Sequence, residues 1–355
     1  MAVTFKDVAT LAGVSTQTVS RVTNGADNVT DLTREKVNKA IKELGYIPNK
    51  SAQMLSRGKS KTLGIVSLDI ALHGVALIVN GVRQQAHDNG YGTVLSIVDS
   101  DNFERIKDEI RELLSQQVDY IVVNVPLTQF MAEELVHQFQ QLNFMFIDVP
   151  ENTKVNYVCA EHTEGAKSAV RHLLACKRSQ FVLITGPKES TGSTLRYAGW
   201  VDELSKSQKE VVATYEGDWD AQSGYLSIRE QIAKKREFDA VLVANDQMAL
   251  GVLCALNEFG IRVPEQVSVV GFDNINDSAF FTPPLSTIGQ SFVELGQQAV
   301  KLLLEPQETV EGEGYRQLIL PTQLIVRSST SLKIELGDHK QEILDYLDKA
   351  RQLLR

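Results

Sequence analysis

Residues 5–25 read FKDVATLAGVSTQTVSRVTNG, a pattern of two helices broken by one glycine. Phe5, Val8, Ala9 and Ala12 fall at i, i+3, i+4 and i+7, one face of a helix. Gly13 then supplies a residue at ease in a left-handed turn. Ser15 stands where it caps a second helix running to about Asn24, with Val19 and Val22 turned inward. A third helix is predicted from near Thr30, with Val37, Ala40, Ile41 and Leu44 on one face, ending at Gly45 ahead of Pro48. Two helices joined across a tight turn form a helix-turn-helix, whose second helix enters the DNA major groove. Ser15, Thr16, Gln17, Ser20 and Arg21 lie on the outward face of that helix. Glutamine pairs with adenine, arginine with guanine, and hydroxyls suit phosphate or thymine methyl groups. The same spacing also fits a plain three-helix bundle with polar residues facing water, so both readings stand at this point.

Charge separates this head from the rest. Residues 1–60 carry nine Lys/Arg against five Asp/Glu, while the chain as a whole has a net charge of −9. A basic head on an acidic body fits a protein in which only the head meets a polyanion. With 355 residues the chain is long enough for two or three domains. No apolar run reaches the roughly 20 residues of a membrane span. The opening MAVTFKDVATLAGV has no basic segment followed by an apolar one, so no secretory signal is expected. Cys159, Cys176 and Cys254 are odd in number, with no CxxC spacing. Neither a disulfide framework nor a zinc site is expected, and a reducing cytoplasm fits.

Beyond Lys61 short apolar runs alternate with amphipathic stretches. TLGIVSL (62–68), GTVLSIV (92–98), DYIVVNV (119–125), FMFIDV (144–149), QFVLIT (180–185), DAVLVAN (239–245) and VSVVGFD (267–273) read as buried parallel strands. Helical patterns stand between them, as at Ile106–Leu114 and Met248–Leu256. The class is therefore α/β, with enough βα units for two sheets rather than one. Ligands in such folds bind at the carboxyl ends of strands, often between domains. Asp148, Asn245, Asp246 and Asp273 stand at such ends, Arg196 lies in STGSTLRYAGW and Trp219 in EGDWDAQSG. Carboxylates, an amide and a guanidinium beside a flat ring are what a sugar requires, since its hydroxyls donate and accept and its C–H face stacks. Each strand-end polar residue taken singly reads equally well as a helix cap or turn residue; the set carries the weight.

Catalytic patterns are missing. GPKESTGS, starting at Gly186, has the glycines and the lysine of a phosphate loop in the wrong places, and GxGxxG, GxSxG and HExxH do not occur. The histidines show no metal-ligand spacing, so no catalytic residue, cofactor or metal is expected. In the tail, Ile343, Leu347, Ala350 and Leu354 are spaced 4, 3 and 4, a brief a/d seam; an amphipathic helix docked on the body would show the same spacing.

The stretch quoted above, together with TREKVNKAIKELGYIPNKSAQML (33–55), resembles the head of the lactose/galactose repressor family of transcriptional regulators, and RYAGW, EGDW, LVANDQMALG and SVVGFD extend the resemblance to about Arg327. The resemblance implies a helix-turn-helix head (1–48), a hinge helix and linker (49–60) and a periplasmic-binding-protein-like core (61–328) of two doubly wound parallel-sheet subdomains. In the core, 61–160 and 290–319 form the N-subdomain and 161–289 and 320–328 the C-subdomain, and a linker and oligomerisation helix follow at 329–355. It implies operator contacts from Thr4, Ser15, Thr16, Gln17, Thr18, Ser20, Arg21 and Asn24, and from Asn49, Ala52 and Leu55 of the hinge. Leu55 stands where the family wedges leucines into the minor groove, a known way to kink DNA.

The same resemblance assigns sugar contacts to Asp148, Ser190, Arg196, Trp219, Asn245, Gln247, Asp273 and Phe292, and pairs His73 with Asp277 across a subunit interface. Departures fall at Leu68 and Gly192, where serines are expected, and at Ser100, where an arginine is, which opens the identity of the sugar without changing its class. The partners implied are pseudo-palindromic operator DNA, a small sugar effector and a second copy of the chain, with a tetramer through the C-terminal helix. A sugar carrier without a regulatory role, a regulator using sugar as corepressor, and an α/β enzyme such as a sugar kinase are the competing readings. The basic head counts against the first and the missing phosphate motifs against the last.

Overall fold

The computed structural model describes residues 3–24, 26, 28–47, 60–98, 102–305 and 314–330. The head holds α1 (Phe5–Ala12), α2 (Thr16–Thr23) and α3 (Asp31–Leu44). Thr4 opens α1 by donating from its backbone N–H and its hydroxyl to the Asp7 carboxylate, at 2.8 and 2.7 Å. Gly13 closes α1 in the left-handed region (φ 66°), where a side chain would cost energy. Ser15 caps α2 by accepting from the Thr18 N–H at 3.1 Å. Val8, Val19 and Val37, one from each helix, are fully buried together, and the Phe5 and Tyr46 rings pack at 5.4 Å. The valine core accounts for the apolar spacing of the sequence and leaves the other face of α2 in solvent.

The body alternates strand and helix: β1 (Thr62–Ser67), α4 (His73–Asp88), β2 (Gly92–Ile97), α5 (Phe103–Ser115), β3 (Tyr120–Asn124), α6 (Gln129–Gln138), β4 (Asn143–Ile147), β5 (Tyr157–Ala160) and α7 (His162–Ala175). It continues with β6 (Gln180–Thr185), α8 (Thr191–Lys206), β7 (Glu210–Glu216), α9 (Ala221–Ala233), β8 (Ala240–Val243), α10 (Asp246–Glu258) and β9 (Ser268–Asp273). A 3-10 turn (Asn276–Phe280), β10 (Ser286–Gly289), α11 (Phe292–Leu304), β11 (Gln317–Leu320) and β12 (Gln323–Ile325) complete it.

Two six-stranded sheets result, in the orders β11-β5-β4-β3-β1-β2 and β12-β10-β9-β8-β6-β7. Every pairing is parallel except β10 with β12. Central strands such as β8, AVLV, and β9, SVVGFD, are buried at every position, as parallel strands covered by helices on both faces must be. The chain passes between the sheets three times, after β5, after β10 and between β11 and β12. At the base, the Thr322 hydroxyl on the third crossing donates to the Glu161 carbonyl on the first, at 3.0 Å. The seven strands expected from the sequence are present, and β5, β7, β10, β11 and β12 are additional.

Candidate functional site

The carboxyl ends of both sheets face one cleft, about 770 Å³ counting the solvent space at its mouth, placed where ligands of such folds bind. Asp148 follows β4, Asn124 ends β3, Asn245 and Gln247 follow β8, Asp273 ends β9, and Phe292 opens α11. All eight residues assigned to a sugar from the sequence line this cleft. So does His73, the first residue of α4, while Asp277 is exposed in the 3-10 turn. Leu68 and Gly192, two of the departures, are on the wall as well. The apolar lining, including Leu72, Val75, Ile78 and Val125, was not singled out from the sequence, because it sits within runs that read simply as core.

Arg196, on α8 and buried, is the hub. Its Nε donates to His162 Nδ1 at 3.3 Å, its Nη1 to the Ala244 carbonyl, and its Nη2 lies 3.4 Å from Asp273 Oδ1. The guanidinium lies 3.8 Å from the centre of the Phe272 ring and 5.7 Å from that of Trp219. Burial pulls its pKa down, and Asp273, Asp148 and Asp246 oppose that pull. Burial raises Asp273 above the ordinary carboxyl range against Arg196 and against Gln290, whose Nε2 donates to it at 2.6 Å. Burial also works against the charge on Asp148, but His162, Cys159 and Arg196 outweigh it and hold that carboxyl below its usual value. His162 and Gln290 were missed in the sequence; one follows a four-residue strand and the other lies on a crossing, so neither falls in a readable pattern.

Two of the site residues carry structural duties too. Asn245 caps α10 by accepting from the Met248 N–H at 2.8 Å, and its amide donates to the Trp219 carbonyl at 2.9 Å. Ser190 caps α8, accepting from the Ser193 N–H at 3.3 Å. These two residues cap a helix and line the cleft at once. Three cleft residues, Asp148 (φ 52°), Trp219 (φ 77°) and Asp273 (φ 112°), also have positive φ, as seven other non-glycine residues do among the described ones. The geometry costs of order 1–3 kcal/mol per non-glycine residue.

Asp148, Cys159 and His162 offer one ligand atom each, all within 4.8 Å of one another. This trio is a hydrogen-bonded chain. Nδ1 of His162 accepts from Arg196, so the ring proton is on Nε2, where it donates to Asp148 Oδ1 at 3.2 Å. A cation at Nε2 would need that proton moved to Nδ1, directly against the Arg196 N–H. Burial, followed by the Asp148 charge, also pushes the Cys159 thiol well above its usual range, away from the thiolate a metal requires.

Residues 4–49 match the family model of bacterial regulatory proteins of the lacI family, and residues 170–330 match that of the periplasmic binding protein-like domain. The chain is 39% identical over 328 residues to the lactose operon repressor of Escherichia coli (strain K12), covering 92% of this chain and 91% of that protein. The chain belongs to the lacI family. The Klebsiella pneumoniae lactose operon repressor is 33% identical over 97% of this chain and 96% of its own length. A crystal structure of the lac repressor dimer bound to operator and the anti-inducer ONPF superposes with a TM-score of 0.85 at 39% identity, over 93% of this chain and 99% of that one. The lacI family is one of transcriptional regulators and not of enzymes.

In this lacI-family head, Thr4, Ser15, Thr16, Gln17 and Arg21 are exposed, and Thr18, Ser20 and Asn24 are half-buried. The Thr18 hydroxyl is 2.8 Å from that of Ser15, and the Asn24 amide donates to the Ser20 hydroxyl at 3.3 Å. Asn49, Ala52, Leu55, Ser100 and the tail seam from Ile343 to Leu354 lie outside the described residues. Among the described residues no helix is long and apolar enough to cross a membrane.

Asp246, behind the site, yields a pH prediction. Its carboxylate accepts from the Thr287 hydroxyl at 2.5 Å and the Ile275 N–H at 2.9 Å, yet burial and then the neighbouring Asp273 push its pKa up to about 7. From the ordinary carboxyl range up to about 7, the folded protein holds a proton that the unfolded chain has lost, so stability falls as pH rises through that window. Denaturant unfolding should show the wild type losing on the order of 2 kcal/mol between pH 5.5 and 8.5 on this account. In Asp246→Asn, whose amide still accepts from Ile275 and donates to Thr287, that share of the slope should vanish. A mutant slope equal to the wild type's would assign the pH dependence elsewhere.

Proposed function

We propose that this protein is a cytoplasmic repressor of a sugar-utilisation operon, held on pseudo-palindromic operator DNA as a homodimer and released by a small sugar of the galactoside class. The observation that carries the reading is one cleft, between two sheets, in which Arg196, Asp273, Asp148, Asn245 and the Trp219 ring converge behind a helix-turn-helix head. Charged and amide groups beside an indole match a sugar's hydroxyls and C–H face. The subdomain limits at 160/161, 289/290 and 319/320 follow from the same reading.

A sugar shifts DNA affinity only by its differential affinity for two core conformations. In this reading it favours the form whose N-subdomains diverge. The paired hinge helices then part, and the Leu55 wedge leaves the minor groove. His73 and Asp277 of opposite subunits make contact in one state only. Leu68 and Gly192 remove two hydroxyls from the wall, so the preferred sugar presents less polar surface there than a ligand of the lactose repressors. Gel shifts at several salt concentrations with a panel of galactosides and glucosides test the whole reading. Sugar-driven release supports it, tighter binding with sugar makes the sugar a corepressor, and no DNA binding at any salt would leave a plain sugar carrier.

Arg21 is exposed on α2, and Arg21→Ala is expected to cost about 1–3 kcal/mol on operator DNA while sparing random DNA. Equal loss on both would make Arg21 a phosphate contact. The tail seam is read as the tetramer joint: removing residues beyond 336 should turn a tetramer into a dimer in sedimentation without loss of operator binding. A full-length protein that sediments as a dimer refutes the tetramer.

A further inference from the structure

His162 is not a wall residue of the cleft, and its side chain is completely buried. It nevertheless lies between the two polar halves of the site. Asp148 belongs to the first sheet, following β4, and Arg196 to the second half, on α8. His162 opens α7, two residues past the first crossing strand, β5. Its ring donates from Nε2 to Asp148 at 3.2 Å and accepts at Nδ1 from Arg196 at 3.3 Å. A protonated ring would present an N–H to Arg196 Nε–H and set two positive charges side by side, so the geometry requires the neutral ring in one tautomer. Phe272 flanks it, with ring centres 5.9 Å apart.

We infer that His162 is a positioning residue for the effector: its neutral imidazole holds Asp148 and Arg196 in register across the two halves of the cleft, so that a sugar meets both as one prepared surface. The inference rests on the reading of the cleft as a sugar site. Asp148 and Arg196 each have other anchors on their own side, the Ala160 N–H at 3.4 Å and the Ala244 carbonyl respectively. Among the described residues, His162 is the side chain hydrogen-bonded to both of them. Without it, each group is held to its own half alone. The sugar would then pay to align them, a cost that appears as weaker binding.

The test uses the full-length protein and methyl β-D-galactopyranoside, with tryptophan emission reporting binding and a gel shift on the same samples reporting operator occupancy. His162→Leu fills the space but neither donates nor accepts, and is expected to bind the galactoside at least tenfold more weakly while still shifting operator DNA. His162→Gln offers an amide donor and a carbonyl acceptor, and should return to within threefold of the wild type. A leucine variant within twofold of wild type, or a glutamine variant as weak as the leucine one, would overturn the inference and leave the ring a mere core filler. A second measurement needs no sugar. Nitrogen-15 spectra of histidine-labelled protein at pH 7 should contain a neutral Nε2–H imidazole that disappears in His162→Gln; an Nδ1–H or charged ring there overturns the inference as well. A wild type that binds no galactoside would count against the proposed effector, and the spectra would still decide the imidazole tie.

Discussion

Arg196→Ala is expected to give a repressor that holds its operator and no longer answers to sugar. The guanidinium serves His162, the Ala244 carbonyl and Asp273 at once, against the face of Phe272. Alanine removes the donors that would meet a sugar hydroxyl and strands Asp273 in a buried place. Breaking a buried ion pair from one side costs about 3–5 kcal/mol, so the core should also unfold at lower denaturant. The head folds around its own valine core and is spared. Arg196→Lys restores the charge without the flat fork, and should recover much of the stability and little of the response. Operator release followed across a sugar titration is the measurement. Release at the wild-type sugar concentration would remove Arg196 from the site.

The second large effect is expected at a residue with no side chain. Gly186 follows β6, and a Cβ built on it would lie 2.6 Å from Trp219 Cζ3 and closer still to Cζ2 and Cη2. The indole therefore lies flat on the Gly186 backbone, held there although Trp219 itself has φ 77°. Gly186→Val must displace the ring. Overpacking of this kind costs about 1–3 kcal/mol, and the stacking surface for the ligand goes with it. Sugar affinity should fall by about tenfold, since a stacking contact is worth about 0.5–1.5 kcal/mol and about 1.4 kcal/mol is a factor of ten in affinity. Tryptophan emission should shift to the red as the ring meets water. Unchanged emission and unchanged affinity together would show that the strand gives way and the ring stays.

The head was legible almost residue by residue, because local chemistry settles it. Gly13 and Gly45 end helices in left-handed geometry and Ser15 starts one. The central strands were legible because burial on both faces leaves unbroken Val/Ile runs. The strands that escaped are short or lie at edges: β5, β10 and β11 have four residues each and β12 three, and β7 alternates loosely at the margin of its sheet. What makes them strands is a partner far away in the chain, which no window of sequence contains. The site divides in the same way. Asp148, Asn245 and Asp273 follow readable strands, and Arg196 and Trp219 came with recognisable motifs. His162 and Gln290 gain their roles only when distant segments close on them, and Gly186 is visible only once the ring above it is in place.

The pairing of β11 with β5, Gln317 opposite Tyr157, has a consequence for how the molecule is made. On the ribosome, β1 to β5 emerge first, yet the strand that covers the open side of β5 follows the entire second sheet, apart from β12. Throughout that interval the nascent chain carries an uncovered, fully buried-type strand edge, YVCA, of the kind that invites pairing with other chains. The first half cannot be released as a finished unit by cutting the gene after residue 160, and its completion waits on a contact of long sequence separation, the slow kind. A chain stopped short of β11 would leave the first sheet with that edge of β5 uncovered, open to pairing with other chains.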